Sequence, residues 1–232
     1  QELENSDREK YQNYSRFIDG YHYAFVEYQG ANLGHWNFEI ELIEDVNSGK
    51  ENGLNALLVT SEALVIADSD LTGKPRFEEI KNQLGFQLEI TKGKETENTL
   101  PKEILIEMFY QLCPANGLSG GKTKLSKQDS HLPYFKDNFE TDPKGIGKYF
   151  DDVLKNLRKD GFIEALTDGS TTYEFADKKS KQGTIKQKTD FCRSVITLMQ
   201  DESFDWELTN SAIELCERIF KHIEDCNRDF EN

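Results

Sequence analysis

Three short stretches of this sequence concentrate side chains able to do chemistry. The first is Asp68-Ser69-Asp70, which closes the apolar run Ala63–Ala67. Carboxylates two residues apart at the C-terminal edge of a buried strand sit where α/β folds place ligand sites. Such a pair suits a hard divalent cation, because Mg²⁺ takes one or two carboxylates and fills its shell with water and substrate phosphate. The same spacing also suits Asp70 as the cap of a turn or of the following helix. With Gly73 the stretch faintly resembles a calcium loop, but the later ligands of such a loop are absent. The second stretch is Thr91-Lys92-Gly93-Lys94-Glu95-Thr96-Glu97-Asn98. If the two strands are parallel, Glu95 and Glu97 come near Asp68 and Asp70, and four such acids repel one another unless cations intervene. Lys92 and Lys94 offer another outcome, simple surface ion pairs with these glutamates. The third is Lys188, within Lys186–Arg193; a lysine at a helix start is ordinarily a solvated surface group.

The elements that must position these residues follow from patterning. His22–Tyr28 (HYAFVEY) is rich in aromatic and β-favouring residues and predicts a strand. Residues 32–45 suit a helix and 46–53 a surface loop; the type of the apolar stretch Leu54–Thr60 stays open. Ala63–Ala67 is a continuous apolar run, as in a strand buried on both faces. Helical spacing over 75–84 follows, with Pro75 in the first turn and Gly85 as C-terminal cap. Phe86–Ile90 reads as a strand and 101–112 as a helix. Strand, helix, strand, helix in this order predicts an α/β layer. Gly117–Asp142 reads as a polar linker. Residues 144–160 form an amphipathic helix with Ile146, Tyr149, Phe150, Val153, Leu154 and Leu157 on one face. A hairpin, Phe162–Leu166 with Thr171–Phe175, turns at Asp168-Gly169. Two helices, 184–200 and 205–228, end the chain. Three segments result: 1–115, 116–183 and 184–232.

Composition narrows the classes. With 36% hydrophobic and 31% charged residues the chain is polar, but 15 Phe and 9 Tyr supply a core. A net charge of −15 opposes passive coating of nucleic acid. It does not oppose a metal site, which needs carboxylates. The four cysteines (Cys113, Cys192, Cys216, Cys226) have no zinc-type spacing and suit free thiols in a reducing cytoplasm. No apolar run approaches the ~20 residues of a membrane span, and no signal peptide is visible. The chain opens on Gln1 rather than Met, as a mature or excised fragment would.

Taken together, several segments resemble the C-terminal Toprim part of OLD-family (overcoming lysogenization defect) ATP-dependent endonucleases. The family's "HY…YGG" strand and turn is similar to His22-Tyr23 and Tyr28-Gln29-Gly30. Its DSD strand end with following basic residues is similar to Asp68-Ser69-Asp70, Lys74 and Arg76. Its "T-x-G-[KR]-E-x-E-N" segment before a Pro-started helix is similar to Thr91–Asn98 with Pro101. Its "K-x-[DE]-F-A-R" helix start and final Asn are similar to Lys188–Arg193 and Asn227. The matches keep their order over most of 20–112 and again over 184–228.

The resemblance implies an incomplete, Rossmann-like and mostly parallel Toprim domain, then a helical region that closes its site. It implies hydrolysis of DNA phosphodiesters with two Mg²⁺ or Mn²⁺ ions, in antiphage defence or DNA processing. It assigns Asp68 and Asp70 as metal ligands, Glu97 with Glu95 to the second metal, and Lys188 to the charge developing on phosphate. Asp68, Glu97 and Lys188 would form the catalytic set. It also implies an upstream ATPase domain and a homo-oligomer.

Departures accompany the matches. The family's opening "VEGxSD" strand is absent; Glu27, on the following strand, is a poor substitute for its glutamate. Gly120-Gly121-Lys122-Thr123 lacks the first glycine and preceding strand of a phosphate-binding loop. Residues 115–180 have no counterpart in the family. Their helix and hairpin resemble a winged helix, which would place DNA contacts on Lys155, Arg158 and Lys159. An alternative function is a non-catalytic interaction or oligomerisation module that keeps the Toprim-like fold. A primase or topoisomerase fragment ranks lower, because neither a zinc pattern nor a suitably spaced tyrosine is present. His35, beside Trp36, reads as a packing residue.

Overall fold

The computed structural model describes residues 7–26, 62–74, 77–113, 125–163, 167–168, 171–178 and 183–228. The expected elements at 32–60, the Gly120–Thr123 stretch, Glu27 and His35 lie outside the described residues. The fold is mixed α/β and mostly helical, with one small parallel sheet. Among the described residues no helix is long and apolar enough to cross a membrane. The chain packs as two units, residues 1–91 with 213–232, and residues 92–212.

In the first unit, strand β1 (Val65–Ala67) pairs in parallel with β2 (Leu88–Ile90), in the register Val65–Leu88, Ile66–Glu89 and Ala67–Ile90. A parallel pair needs a crossover, and helix α2 (Phe77–Leu84) supplies it. Its Ile80 and Leu84, one turn apart, are buried with Val65, Ala67 and Leu71. Gly85 then takes a left-handed φ of +51°, which a glycine adopts without steric cost. The expected strand 86–90 is shorter, because Gly85–Gln87 continues as a 3₁₀ turn. Helix α1 (Arg8–Tyr11) is capped by Asp7, whose Oδ1 accepts the Lys10 N–H at 3.1 Å. It packs beside the last helix, α6 (Asn210–Asn227): the Lys10 ammonium and the Tyr11 hydroxyl both reach Glu217, and Tyr14 stacks on Phe220 with centroids 4.3 Å apart. The described part of the expected strand 22–28 is instead a turn at His22, an isolated bridge from Tyr23 to Asp19, and irregular chain to Val26. Gly20 at φ +77° reverses the chain, the His22 N–H donates to the Ile18 carbonyl (2.9 Å), and the Ile18 N–H donates back to His22 Nδ1 (3.0 Å).

The second unit holds the larger core. Helix α3 (Lys102–Leu112) buries Ile104, Leu105, Ile106, Met108, Phe109 and Tyr110. Helix α4 (Ile146–Lys159) buries the six residues expected of its apolar face. Helix α5 (Lys188–Met199) adds Phe191, Val195 and Leu198. Phe109 is central, with the rings of Tyr110, Phe135, Phe150 and Phe175 at 5.3, 5.3, 5.5 and 5.2 Å. Tertiary packing groups the chain differently from the three expected segments, because α3, α4 and α5 share this one core. The expected hairpin is displaced and shorter: Phe162 and Ile163 are not strand, and the antiparallel ladder pairs β3 (Thr167–Asp168) with β4 (Thr171–Thr172), so Asp168 ends a strand. Beyond it, Asp151 of α4 accepts the Phe175 N–H (2.6 Å) and the Ala176 N–H (3.3 Å), tying that return segment to the helix.

Within this core lies a fully buried histidine, His131. Its Nδ1 is 2.7 Å from the Tyr110 hydroxyl, and its Nε2 has no hydrogen-bond partner. Burial lowers the pKa of the imidazole and pushes the Tyr110 hydroxyl up to about 12. The folded state therefore holds His131 neutral, while the unfolded chain takes up a proton near the ordinary pKa of about 6.5. The unfolded state binds more protons on acidification, so stability should fall as pH drops below that value. Urea denaturation at pH 7.5, 6.5 and 5.5 checks this, and His131→Phe should flatten the slope. An equal slope in both proteins would assign the dependence elsewhere.

Candidate functional site

The Asp68-Ser69-Asp70 turn sits at the end of β1 and is locked to the end of β2. The Thr91 N–H donates to the Ala67 carbonyl at 3.0 Å, which carries the ladder one residue past the strands. In return the Ser69 N–H donates to Thr91 Oγ1 at 3.1 Å. Asp68 precedes the 3₁₀ turn Ser69–Gly73, and its side chain makes no capping bond. Asp70 lies in that turn and pairs with Lys74 at 3.5 Å. Both aspartates remain partly accessible. Parallel pairing thus brings the Asp68-Ser69-Asp70 turn beside Thr91, the first residue of the Thr91–Asn98 segment.

The rest of that segment belongs to the second unit and folds as a buried 3₁₀ turn, Thr96–Thr99. Asn98, wholly buried, is its anchor. Asn98 Oδ1 accepts the Glu95 N–H at 2.9 Å, and its Nδ2 donates to the carbonyls of Phe139 (3.1 Å), Asp142 (3.2 Å) and Lys144 (3.4 Å). Gly93 makes this approach feasible, since a Cβ there would lie 2.4 Å from both the Asn98 Cβ and the Glu140 carbonyl oxygen. Glu95, expected among the metal donors, is given other work. Its Oε1 accepts the Thr184 hydroxyl (2.6 Å) and its Oε2 accepts the Ile146 N–H (3.2 Å), at the start of α4. A carboxylate placed against the first N–H groups of a helix satisfies one orphan donor and favours the helix dipole.

Glu97 differs. Its side chain is 8% exposed, the Lys188 ammonium lies 2.9 Å from Oε1, and Oε2 has no hydrogen-bond partner. The Cys192 thiol, one turn along α5 from Lys188, lies 3.7 Å from Oε1. Residues 91 positions apart in sequence (188 − 97) therefore form one ion pair. Just before Lys188, Gln187 sits in the left-handed region at φ +51° and ψ +48°. That conformation costs a non-glycine residue about 1–2 kcal/mol, and such strain concentrates where a side chain must be held in place.

Sequence reasoning missed Asn98 as the anchor, together with Thr184 and Cys192 as partners of the two glutamates. The signal for the first was present: Glu95-x-x-Asn98 has the spacing of two residues that cap each other at a helical turn. Neither unit, among the described residues, groups three His, Cys, Asp or Glu side chains as a metal ion's full ligand set. No family model matches the chain, and no curated protein or solved structure is similar to it.

Replacing Asn98 by Ala leaves the buried Glu95 N–H without its Oδ1 acceptor and removes one donor from each of the Phe139, Asp142 and Lys144 carbonyls, of which the first two keep the Asp142 and Lys94 N–H groups. The expected cost is about 2–4 kcal/mol in equilibrium denaturation, since each unmet buried partner costs about 1–3 kcal/mol and some admit water. A loss below about 0.5 kcal/mol, the range of an ordinary surface change, would remove Asn98 from this role.

Proposed function

We infer that the chain is a metal-dependent nuclease of Toprim type, related to the OLD-family endonucleases, acting on DNA phosphodiesters. The observation that carries the reading is the Glu97–Lys188 ion pair, which joins two separately matched segments around a buried carboxylate oxygen that has no partner. Asp68 and Asp70 supply the oxygen donors suited to Mg²⁺ or Mn²⁺, which needs only one or two carboxylates from protein. On the second unit, Glu97 has the same donor chemistry in its unpartnered Oε2. Glu95 fits poorly, because both of its oxygens hold the fold.

A bound divalent cation supplies water activation and stabilisation of the leaving oxygen. The chain's own groups do the rest. The Lys188 ammonium, partly exposed beside the buried Glu97, would place a positive charge against the phosphate as it gains negative charge. Glu97 holds that ammonium in position and can accept a proton from an incoming water. Lysine keeps three donors, so pairing with Glu97 does not use its hydrogen-bonding capacity. The reading includes the upstream ATPase domain, a cytoplasmic location, a homo-oligomer and the winged-helix-like contacts at Lys155, Arg158 and Lys159. It also anticipates that these 232 residues alone cleave weakly.

A second reading, an interaction module without catalysis, is favoured by the exposed apolar residues of the N-terminal tail. Tyr21, Phe25 and Val26 are 81%, 70% and 77% exposed.

The two readings diverge on measurement. Calorimetric titration with Mn²⁺ should give binding that the Asp68→Ala/Asp70→Ala variant loses. Plasmid nicking by the polypeptide carrying this chain with its ATPase region should require Mn²⁺ or Mg²⁺. Lys188→Met should keep the metal binding and lower nicking at least 100-fold, about the effect of removing one transition-state charge donor. Equal Mn²⁺ affinity in wild type and the double variant would sink the nuclease reading.

A further inference from the structure

A cavity of about 310 Å³ opens on the second unit beside α4, lined by none of Asp68, Asp70, Glu95, Glu97 and Lys188. Its wall includes Lys136, Lys144, Lys155, Asp152, Asn156 and Tyr134. Three ammonium groups against one carboxylate give this wall a net charge of +2, in a chain whose total is −15. With the buried Asp142, which pairs with Lys136, and Asp160, which accepts the Tyr134 hydroxyl at 2.6 Å, three carboxylates balance the three ammoniums. A locally neutral wall that still presents ammonium donors admits an anion that the rest of the acidic surface repels.

The wall is also fixed in advance. The Lys136 N–H donates to the Tyr149 hydroxyl at 2.9 Å. The Asp142 carboxylate accepts the Lys144 N–H at 2.8 Å and also binds the Lys136 ammonium. The Lys144 ammonium pairs with Asp152 at 2.5 Å, and Asn98 holds the carbonyls of Asp142 and Lys144 from below. Each paired ammonium still has two N–H donors to offer. Lys155, exposed at the rim, has no ion-pair partner among the described residues. Beside the cations, the Tyr134 ring and Val153 give an apolar wall, and the Asn156 amide offers both a donor and an acceptor. A few placed polar groups against an apolar wall, at a volume near 300 Å³, is the makeup of a small-ligand site.

We propose that this cavity is a binding site for a phosphate ester, the phosphoryl group held by Lys136, Lys144 and Lys155 and the group that carries it lying against Tyr134 and Asn156. Lysine binds phosphate as a point charge, so the three ammoniums need no bidentate geometry. The ligand is a nucleoside monophosphate or the phosphorylated end of a nucleic-acid strand, which share this chemistry. The inference does not rest on the metal site, and it holds or fails without any divalent cation.

The test is an NMR titration of the whole chain in EDTA. The probes are adenosine 5′-monophosphate, a short single-stranded oligonucleotide with a 5′-phosphate, and the same oligonucleotide with a 5′-hydroxyl. The phosphorylated probes should shift the amide signals of Lys136, Lys144 and Asn156, and the 5′-hydroxyl strand should bind more weakly. Lys155→Gln, at an exposed and unpaired position, should fold normally and weaken binding about fivefold to tenfold, as loss of one charge-assisted contact does. Tighter binding of the mononucleotide identifies a free nucleotide as the ligand, and tighter binding of the phosphorylated strand identifies a strand end. Unchanged affinity in Lys155→Gln, equal binding of the 5′-hydroxyl strand, or shifts confined to other residues would overturn the proposal. Because EDTA is present throughout, these outcomes are separate from failure of the metal-binding test.

Discussion

Burying the turn Glu95–Asn98 imposes a strict condition on the second unit: each polar atom taken from water there needs a partner inside the protein. Hydrogen-bond donors left unmet in such a place cost about 1–3 kcal/mol each. Asn98 meets most of the condition alone, linking its own turn to the carbonyls of Phe139, Asp142 and Lys144. Glu95 meets the rest by joining the start of α4 to Thr184. Three stretches far apart in sequence are thereby held around one short turn, and both the buried Glu97 and the lysine-lined cavity inherit their positions from it.

Glu97 stands out against this background because it is the member of the turn left incomplete. One oxygen faces the Lys188 ammonium, and the other has no donor. Desolvating a carboxylate beside a single cation is rarely a gain in stability over an apolar pair. Together with the left-handed Gln187 next to Lys188, it is a costly local arrangement. Costs of this kind gather where a site must bind something, and that is the physical ground for placing chemistry here rather than at Glu95, which is equally buried but fully engaged.

The acidity of the chain takes on a different meaning once the charges are placed. Lys136, Lys144 and Lys155 meet at one cavity, so the surface is not uniformly hostile to phosphate. Asp142 and Asp152 hold two of these lysines in place and do not cancel them all. A net charge alone therefore excluded less than it suggested.

Local sequence by itself determined much of the architecture. The apolar run ending at Ala67, the helical spacing of 77–84 and the amphipathic face of 146–159 each follow from a periodicity that survives in the structure, because burial of one face is a local demand that a local pattern can satisfy. It also singled out the acids Asp68, Asp70, Glu95 and Glu97, whereas Lys188 stood out only through the family resemblance. His22–Tyr28 was legible only as β-favouring composition, and the turn at Gly20 overrides it across the described residues 22–26. Tertiary structure alone decided which acids do what: Glu95 and Glu97 are two residues apart with the same side chain, yet one caps α4 and the other meets Lys188. That division depends on partners 51 to 91 positions away, whose arrival is set by packing of α3, α4 and α5 around Phe109. No pattern within a few residues encodes it, since the energy that selects it comes from burying the common core.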